Sequence, residues 1–501
     1  MSTSGYILTI DQGTTGTRAG LVDESGKLLW STYQEISQQY RYSGWVEQSP
    51  TEILESVYST IDSLFDDLEI SPSAVQAIGI TNQRETTLVW NKQTGEPITN
   101  AIVWECRRTT DICNNMKERG LSDTVARVTG LTIDPYFSAT KIRWILDNVT
   151  GADQDAKQGK LAFGTIDSWL IWNLTNGTQH IIDTSNASRT MLFDIQTKEW
   201  SEDMLTLMDI PRSMLPEVVP SSGRLTTSGG NFFGGYSIPI CGIAGDQQSA
   251  LFGQCCFTPG KIKVTYGTGA FLLMNTGSEI VRSEEGLLTT VAWDLNGTVN
   301  YALEGGVFSA GSTVQWLRDE IGMIQQSAEI EELAQSVPDN GGVYLVPAFN
   351  GLGTPYWDPQ ARGSIHGLTK GSNRAHLARA ALESIAYQCD DVLRLMSTES
   401  GKQITSIRSD GGASGNDMLM QFQADISEVL IERSLSHETT SLGAGYLAGL
   451  GIGFWHSRNE IERLWESGGF FSPNMSPSRR DLLRHYWSKA VERSLGWAAR
   501  N

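Results

Sequence analysis

Apolar residues recur along this chain in two alternating rhythms, a helical spacing of three to four and short β-type runs, and that alternation predicts an α/β protein. From Thr51 onward Ile53, Leu54, Val57, Ile61, Leu64, Phe65 and Leu68 share one helical face, with Thr51 ahead of them as the N-cap. Short β-rich runs surround this helix at Tyr6 to Ile10, Ala19 to Val22, Val75 to Ile80, Leu88 to Trp90 and Ala101 to Trp104, and they are expected to form one sheet. A second long helical pattern covers Arg374 to Met396, followed by a strand at Ile404 to Arg408 and a glycine cluster. Turn formers mark loops at 151–159, 221–237, 338–342 and 350–364.

Two segments in opposite halves share a pattern. Tyr6 to Gly20 runs strand, Asp11-Gln12-Gly13-Thr14-Thr15-Gly16-Thr17, strand; Lys261 to Thr276 runs strand, Gly267-Thr268-Gly269, strand. Paired Gly/Thr hairpins predict a two-lobed molecule, with lobes at 1–253 and 254–501.

The length of 501 residues leaves room for several domains, and 57 acidic against 38 basic residues give a net charge of −19. Such a field repels polyanions, which argues against a general binder of nucleic acid or anionic membranes, and any phosphate must be held locally. Six cysteines without a Cys-x-x-Cys give neither a disulfide framework nor a zinc spacing, which suits a reducing cytoplasm. Neither a signal peptide nor an apolar run long enough to span a membrane is read.

The chemistry concentrates in glycine-rich or polar strings at the ends of β-runs. In Asp11 to Arg18, glycines expose backbone N–H groups, threonines add hydroxyls and Arg18 adds a charged fork, a set that cradles phosphate; an ordinary hairpin uses the same residues. Gly267-Thr268-Gly269 reads the same two ways. Ser409 to Asn416 is either a ligand-facing strand-to-helix turn or a bare connection. Thr81-Asn82-Gln83-Arg84-Glu85-Thr86 puts donors and acceptors at a strand end, as vicinal hydroxyls require, or forms a simple ion pair. Trp104 is a core residue or an apolar platform. Asp246, ending an apolar run and opening a helix, is a helix cap or a general base for a substrate hydroxyl. No Walker sequence occurs, since Gly260-Lys261 is followed by Ile262, and the six histidines lack metal-ligand spacing.

With these strings in order, and with Trp104-Glu105-Cys106-Arg107-Arg108-Thr109, Gly245-Asp246-Gln247-Gln248, Tyr266-Gly267-Thr268-Gly269, Gly311 to Leu317, Gly353 to Asp358 and Asp410-Gly411-Gly412-Ala413, the whole chain resembles the FGGY carbohydrate kinases. The resemblance implies two actin-like (ribonuclease H-like) ATPase lobes with a catalytic cleft between them. It further implies transfer of the ATP γ-phosphate to a terminal hydroxyl of glycerol, giving sn-glycerol 3-phosphate and ADP. In similar enzymes the position of Asp246 is the general base and that of Asp11 the carboxylate near hydrated Mg²⁺. Thr14, Thr15, Arg18 and Thr268 match phosphate-facing residues; Gly311, Gln315, Gly412 and Asn416 match the nucleotide site. Arg84, Glu85, Tyr136, Asp246 and Gln247 match the polar side of the glycerol pocket, and Trp104 and Phe271 its apolar walls. A homodimer and a homotetramer both remain open. The competing readings are a family member acting on another polyol or sugar, and an actin-like or chaperone-type ATPase.

The chain departs from the family pattern in three places. Gly16 stands where the family usually has Ser, and Glu105 follows Trp104 where Gln or Asn is more usual. Some bacterial members are inhibited by fructose 1,6-bisphosphate through an Arg just before an Ile-Pro-Ile string, and others are activated by phosphorylation of a nearby histidine. Here Ser237 precedes Ile238-Pro239-Ile240 and no histidine lies between Ser221 and Ile243, so neither control is expected.

Overall fold

The computed structural model describes residues 5–498. Its centre is one thirteen-stranded sheet whose strands are β1 (Tyr6–Gln12), β2 (Gly16–Val22), β3 (Leu28–Glu35), β4 (Val75–Asn82), β5 (Ser222–Thr227), β6 (Pro239–Gly245), β7 (Ile262–Tyr266), β8 (Ala270–Gly277), β9 (Leu288–Leu295), β10 (Thr298–Val307), β11 (Ile407–Asp410), β12 (Ile431–Ser434) and β13 (Ser467–Phe471). Their spatial order is β13-β12-β11-β7-β8-β10-β9-β5-β6-β4-β1-β2-β3. Within it one five-strand motif occurs twice. β3-β2-β1 is antiparallel, with β4 and β6 added parallel to β1; β10-β8-β7 is antiparallel, with β11 and β12 added parallel to β7. The paired hairpins of the sequence are therefore β1–β2 and β7–β8, at equivalent places in the two motifs. A single residue pair, Ser222 with Leu295, joins β5 to β9 between them.

The helix after β3, α1 (Pro50–Leu68), is capped two residues earlier than expected: the Ser49 hydroxyl accepts the Glu52 N–H at 3.3 Å and Pro50 takes the first turn. Thr51 is already helical because Pro50, lacking an N–H and fixed in φ, is favoured inside the first turn. Ile53, Val57, Ile61 and Leu64 are buried against Ile10, Ala19 and Leu21 of the sheet, each worth about 1.5–3 kcal/mol when fully buried. On the other motif, α4 (Arg374–Ser400) extends one turn beyond the expected Met396 to Gly401, and the following strand occupies Ile407–Asp410 rather than Ile404 to Arg408.

Other expectations are corrected. The runs at Leu88 and Ala101 are extended but lie outside the sheet: Leu88–Asn91 pairs with Leu161–Gly164, and Ala101–Ile102 with Glu47–Gln48. β-propensity reports an extended, half-buried backbone and not its partner. The expected loop at 151–159 contains a short helix, Ala152–Lys157, whose Asp153 and Asp155 favour its N-terminus while resembling loop composition. The expected loop at 221–237 begins with β5.

Two helices fill the junction between the motifs, α2 (Asp246–Gly253) and α6 (Thr439–Ile452). They approach so closely that a Cβ on Gly443 would lie 1.9 Å from the Ser249 carbonyl oxygen. Gly451 of α6 is held just as closely to β6, where a Cβ would lie 2.8 Å from the Cys241 carbonyl oxygen, and α6 also packs on β1 and β4. Among the described residues no helix is long and apolar enough to cross a membrane, and all six cysteines are free and buried.

Candidate active site

In both motifs the parallel strands end at the same edge, the edge at which open α/β sheets bind ligands. From the first come Asp11 on β1, Arg84 and Glu85 just beyond β4, and Asp246 just beyond β6; from the second come the β7–β8 turn and the glycines beyond β11.

On the β1–β2 hairpin, Asp11 stands opposite Arg18 and beside Thr81. Its carboxylate accepts the Ser441 hydroxyl at 3.1 Å. Burial, joined by the charges of Asp246 and Glu438, pushes its pKa up to about 7 against the opposing pull of Ser441 and Arg18. Arg18 pairs with Glu438 at 3.0 Å and donates to the Ser31 hydroxyl at 3.1 Å. The Thr14 hydroxyl accepts the Trp104 indole N–H at 2.9 Å, while Thr15 is exposed.

Thr268 is exposed on the second hairpin, and its carbonyl is fixed by the N–H groups of Ala310 and Ser312 at 2.9 and 3.1 Å. Those contacts bring the turn against α3 (Gly311–Asp319), which carries Gly311 at its start and an exposed Gln315 one turn on. Beyond β11, Gly412 is exposed, and Asn416 caps α5 (Asp417–Ser427) by accepting the Leu419 N–H at 2.8 Å. Because β7 and β11 are adjacent and parallel, these two clusters are neighbours.

The Arg84–Glu85 pair opens into a buried network. Arg84 Nη1 and Nη2 meet the Glu304 carboxylate at 2.6 and 2.9 Å, and Nη2 also donates to the Tyr136 hydroxyl at 3.3 Å. Arg84 Nε lies 3.2 Å from Asp246 Oδ1. Glu85 Oε1 is held by Arg189 at 2.6 Å, and Arg189 reaches Glu304 at 3.0 Å. Burial works to raise the Glu304 pKa, but Arg189 and Arg84 overcome it and hold the group at about 2. For Glu85, burial outweighs the same two arginines and the shift is upward. Against this polar wall stands an aromatic one: Trp104 packs edge-on to Tyr136 at 5.5 Å and to Phe271 at 6.5 Å between ring centroids. Trp104 is half-buried and Glu105 beside it is exposed.

Asp246 is the first residue of α2, not its cap, which is Gly245. Its Oδ1 accepts the Gln247 N–H at 2.7 Å as well as facing Arg84. Gln247 in turn accepts from Lys263, whose ammonium also donates to Thr265 at 3.0 Å. Burial lowers the Lys263 pKa to about 8, with Asp410 and Asp246 pulling the other way. The donor set fits a hydrated divalent cation carried on phosphates. The Asp11 carboxylate accepts the Ser441 hydroxyl on Oδ2, and Asp410 Oδ1 is buried without a partner while Oδ2 takes Gln254 at 2.7 Å and the Thr439 hydroxyl. Among the described residues no three His, Cys, Asp or Glu side chains form a metal cluster.

Residues 6–253 match the model of the N-terminal domain, and residues 262–452 that of the C-terminal domain, of the FGGY family of carbohydrate kinases. The chain belongs to this family. Family relatives include Glycerol kinase 2 of Thermotoga maritima, 54% identical over 495 residues that span 99% of this chain and 100% of that one. Glycerol kinase of Clostridium perfringens is 55% identical over 98% of this chain and 99% of its own. Among solved structures, Plasmodium falciparum glycerol kinase with ADP superposes with a TM-score of 0.93 at 37% identity, covering 98% of each chain. The family fold extends to a xylulose kinase from Lactobacillus acidophilus at 22% identity and a TM-score of 0.86, covering 97% of each chain.

Glu304, Arg189 and Lys263 escaped the sequence reading although each touches a predicted site residue. The available signal was a charge inside an apolar run, as in Tyr301 to Val307 and Ile262 to Tyr266. A buried charge has to be paired, so such a position points to a partner elsewhere in the chain. Nothing in the sequence names that partner.

Proposed function

We propose that the protein is a glycerol kinase, transferring the γ-phosphate of ATP to a terminal hydroxyl of glycerol. The observation that carries this reading is the placement of Asp246. Both of its contacts fall on Oδ1, from Arg84 and from the Gln247 N–H, which leaves Oδ2 to accept a proton. Beside it a polar wall of Arg84, Glu85 and Tyr136 faces an apolar wall of Trp104 and Phe271, the two surfaces a short triol needs.

In this reading Oδ2 takes the hydroxyl proton as the hydroxyl oxygen bonds to the γ-phosphorus and the bond to the ADP oxygen breaks. Arg84 and Glu85 fix the other hydroxyls, and Gln247 is oriented by Lys263. Thr14, Thr15, Arg18 and Thr268 contact the phosphates from the two hairpins; Gly311, Gln315, Gly412 and Asn416 form the adenosine side. Asp11 would hold the water shell of a Mg²⁺ carried on the nucleotide, which would supply neutralisation of the phosphate charge. Residues 1–253 and 254–501 act as the two lobes, with glycerol and the first hairpin on one and adenosine on the other. The enzyme works in the cytoplasm, as the buried reduced cysteines favour.

Coupled ADP-release kinetics with and without glycerol test the reading. ATP turnover that requires glycerol supports it. Equal turnover without a polyol points to a chaperone-type ATPase, and preference for xylulose or gluconate to another sugar kinase.

A further inference from the structure

Gly16 does not adopt a positive φ, so its backbone conformation does not demand glycine. Its surroundings do. A Cβ there would lie 2.4 Å from the Tyr33 hydroxyl, 2.5 Å from Tyr33 Cζ and 2.5 Å from the Gln34 carbonyl oxygen. The space that a side chain at position 16 would fill is thus taken by a phenol from the neighbouring strand. In the β2–β3 ladder Arg18 pairs with Tyr33 and Gly16 with Glu35, which puts Gly16, Arg18 and Tyr33 on one face. The Tyr33 hydroxyl lies 3.4 Å from the Thr15 hydroxyl, and the Arg18 guanidinium stands 5.3 Å from the Tyr33 ring centroid. Arg18 is braced from its other side by Glu438 at 3.0 Å. Tyr33 itself is 48% exposed, so apolar burial alone does not account for a phenol laid across the turn.

We propose that Tyr33 is part of the nucleotide-phosphate site: its hydroxyl replaces the one that Gly16 lacks, and its ring positions Arg18. This inference rests on the reading of the chain as an ATP-dependent kinase. A phenol reaching in from β3 keeps three hydroxyls at the hairpin, with Thr14 and Thr15, while the glycine lets the strands close. The phenol O–H can donate to a phosphate oxygen or to Thr15, and the ring face attracts the guanidinium.

Tyr33→Phe removes the hydroxyl and keeps the ring. Calorimetry should show a non-hydrolysable ATP analogue bound about three- to tenfold more weakly, the loss of one hydrogen bond, with AMP affinity unchanged. The KM for ATP should rise in parallel, leaving the glycerol KM and the melting temperature as in wild type. Tyr33→Leu, which removes the ring as well, should weaken the analogue further than Tyr33→Phe does. Wild-type analogue affinity in Tyr33→Phe overturns the proposal, as does an equal loss for AMP, which would mark a structural role. If the wild-type protein binds ATP but does not phosphorylate glycerol, the kinase reading falls, and the calorimetric contrast still decides Tyr33.

Discussion

Arg84 and Glu304 form a two-pronged ion pair, 2.6 and 2.9 Å long, between a loop after the first motif's β4 and the middle of β10 in the second. Both side chains are buried, so the pair holds the Arg84 guanidinium rigid between the two five-strand motifs. Removing one partner of a buried pair leaves an uncompensated charge and costs about 3–5 kcal/mol. Glu304→Gln is therefore expected to lower the unfolding free energy by about that much in urea titrations. It should also raise the glycerol KM, because Arg84 loses its anchor, with the ATP KM little changed.

The same carboxylate sets an acid limb. Its folded pKa of about 2 lies below the ordinary 4.5, so its stabilisation is complete above pH 4.5 and is lost as the pH falls toward 2. Glu85, shifted upward, has the opposite slope above its ordinary value. The wild-type advantage over Glu304→Gln should therefore be level above about pH 4.5 and shrink as unfolding is measured at lower pH. An advantage independent of pH would contradict the depressed pKa.

Asp246→Asn keeps size, helix position and the Gln247 N–H acceptor while losing proton acceptance. Turnover should fall by about 10² or more, with ATP affinity nearly unchanged. Asparagine Oδ1 can still accept from the Gln247 N–H and from Arg84 Nε, so the variant should fold, with a modest drop in melting temperature for the charge lost beside Arg84. Near-normal turnover in the folded variant would remove Asp246 from the reaction.

What the sequence revealed and what it concealed divide along a physical line. The hairpins at Asp11 and Gly267, the helix after Ser49 and the strand ends at Thr81 and Asp246 were legible, because local turn chemistry and periodicity encode them. The partner of a strand is not local: Leu88–Asn91 and Ala101–Ile102 are extended as expected yet pair outside the main sheet. The same holds for charge. Arg84 and Glu85 stood out as neighbours, but they lie 3.8 Å apart, and their closer partners are Glu304 and Arg189, 220 and 104 residues away. Gly16 read as a missing hydroxyl until β3 supplied Tyr33 beside it.

The last prediction concerns regulation by sugar bisphosphates. The loop between β5 and β6 carries an exposed Ser237 where an inhibitor-binding arginine would be needed. Phe232 stacks on Tyr58 of α1 with centroids 4.7 Å apart, and Phe233 is buried beside Phe65. The groove this leaves, about 640 Å³, is lined by Asp62, Asp66 and Glu69 together with Phe65, Phe232 and Phe233, and by no Lys, Arg or His. Three carboxylates facing a bisphosphate repel it, and a neutral hydroxyl cannot replace a guanidinium fork on a phosphate. The net charge of −19 adds long-range repulsion. Fructose 1,6-bisphosphate titrated to millimolar levels at fixed ionic strength should therefore leave the rate equal to that with an anion of matched charge. Saturable inhibition by the bisphosphate alone would show that another cation, with Arg224 on β5 the first to mutate, has taken the missing role.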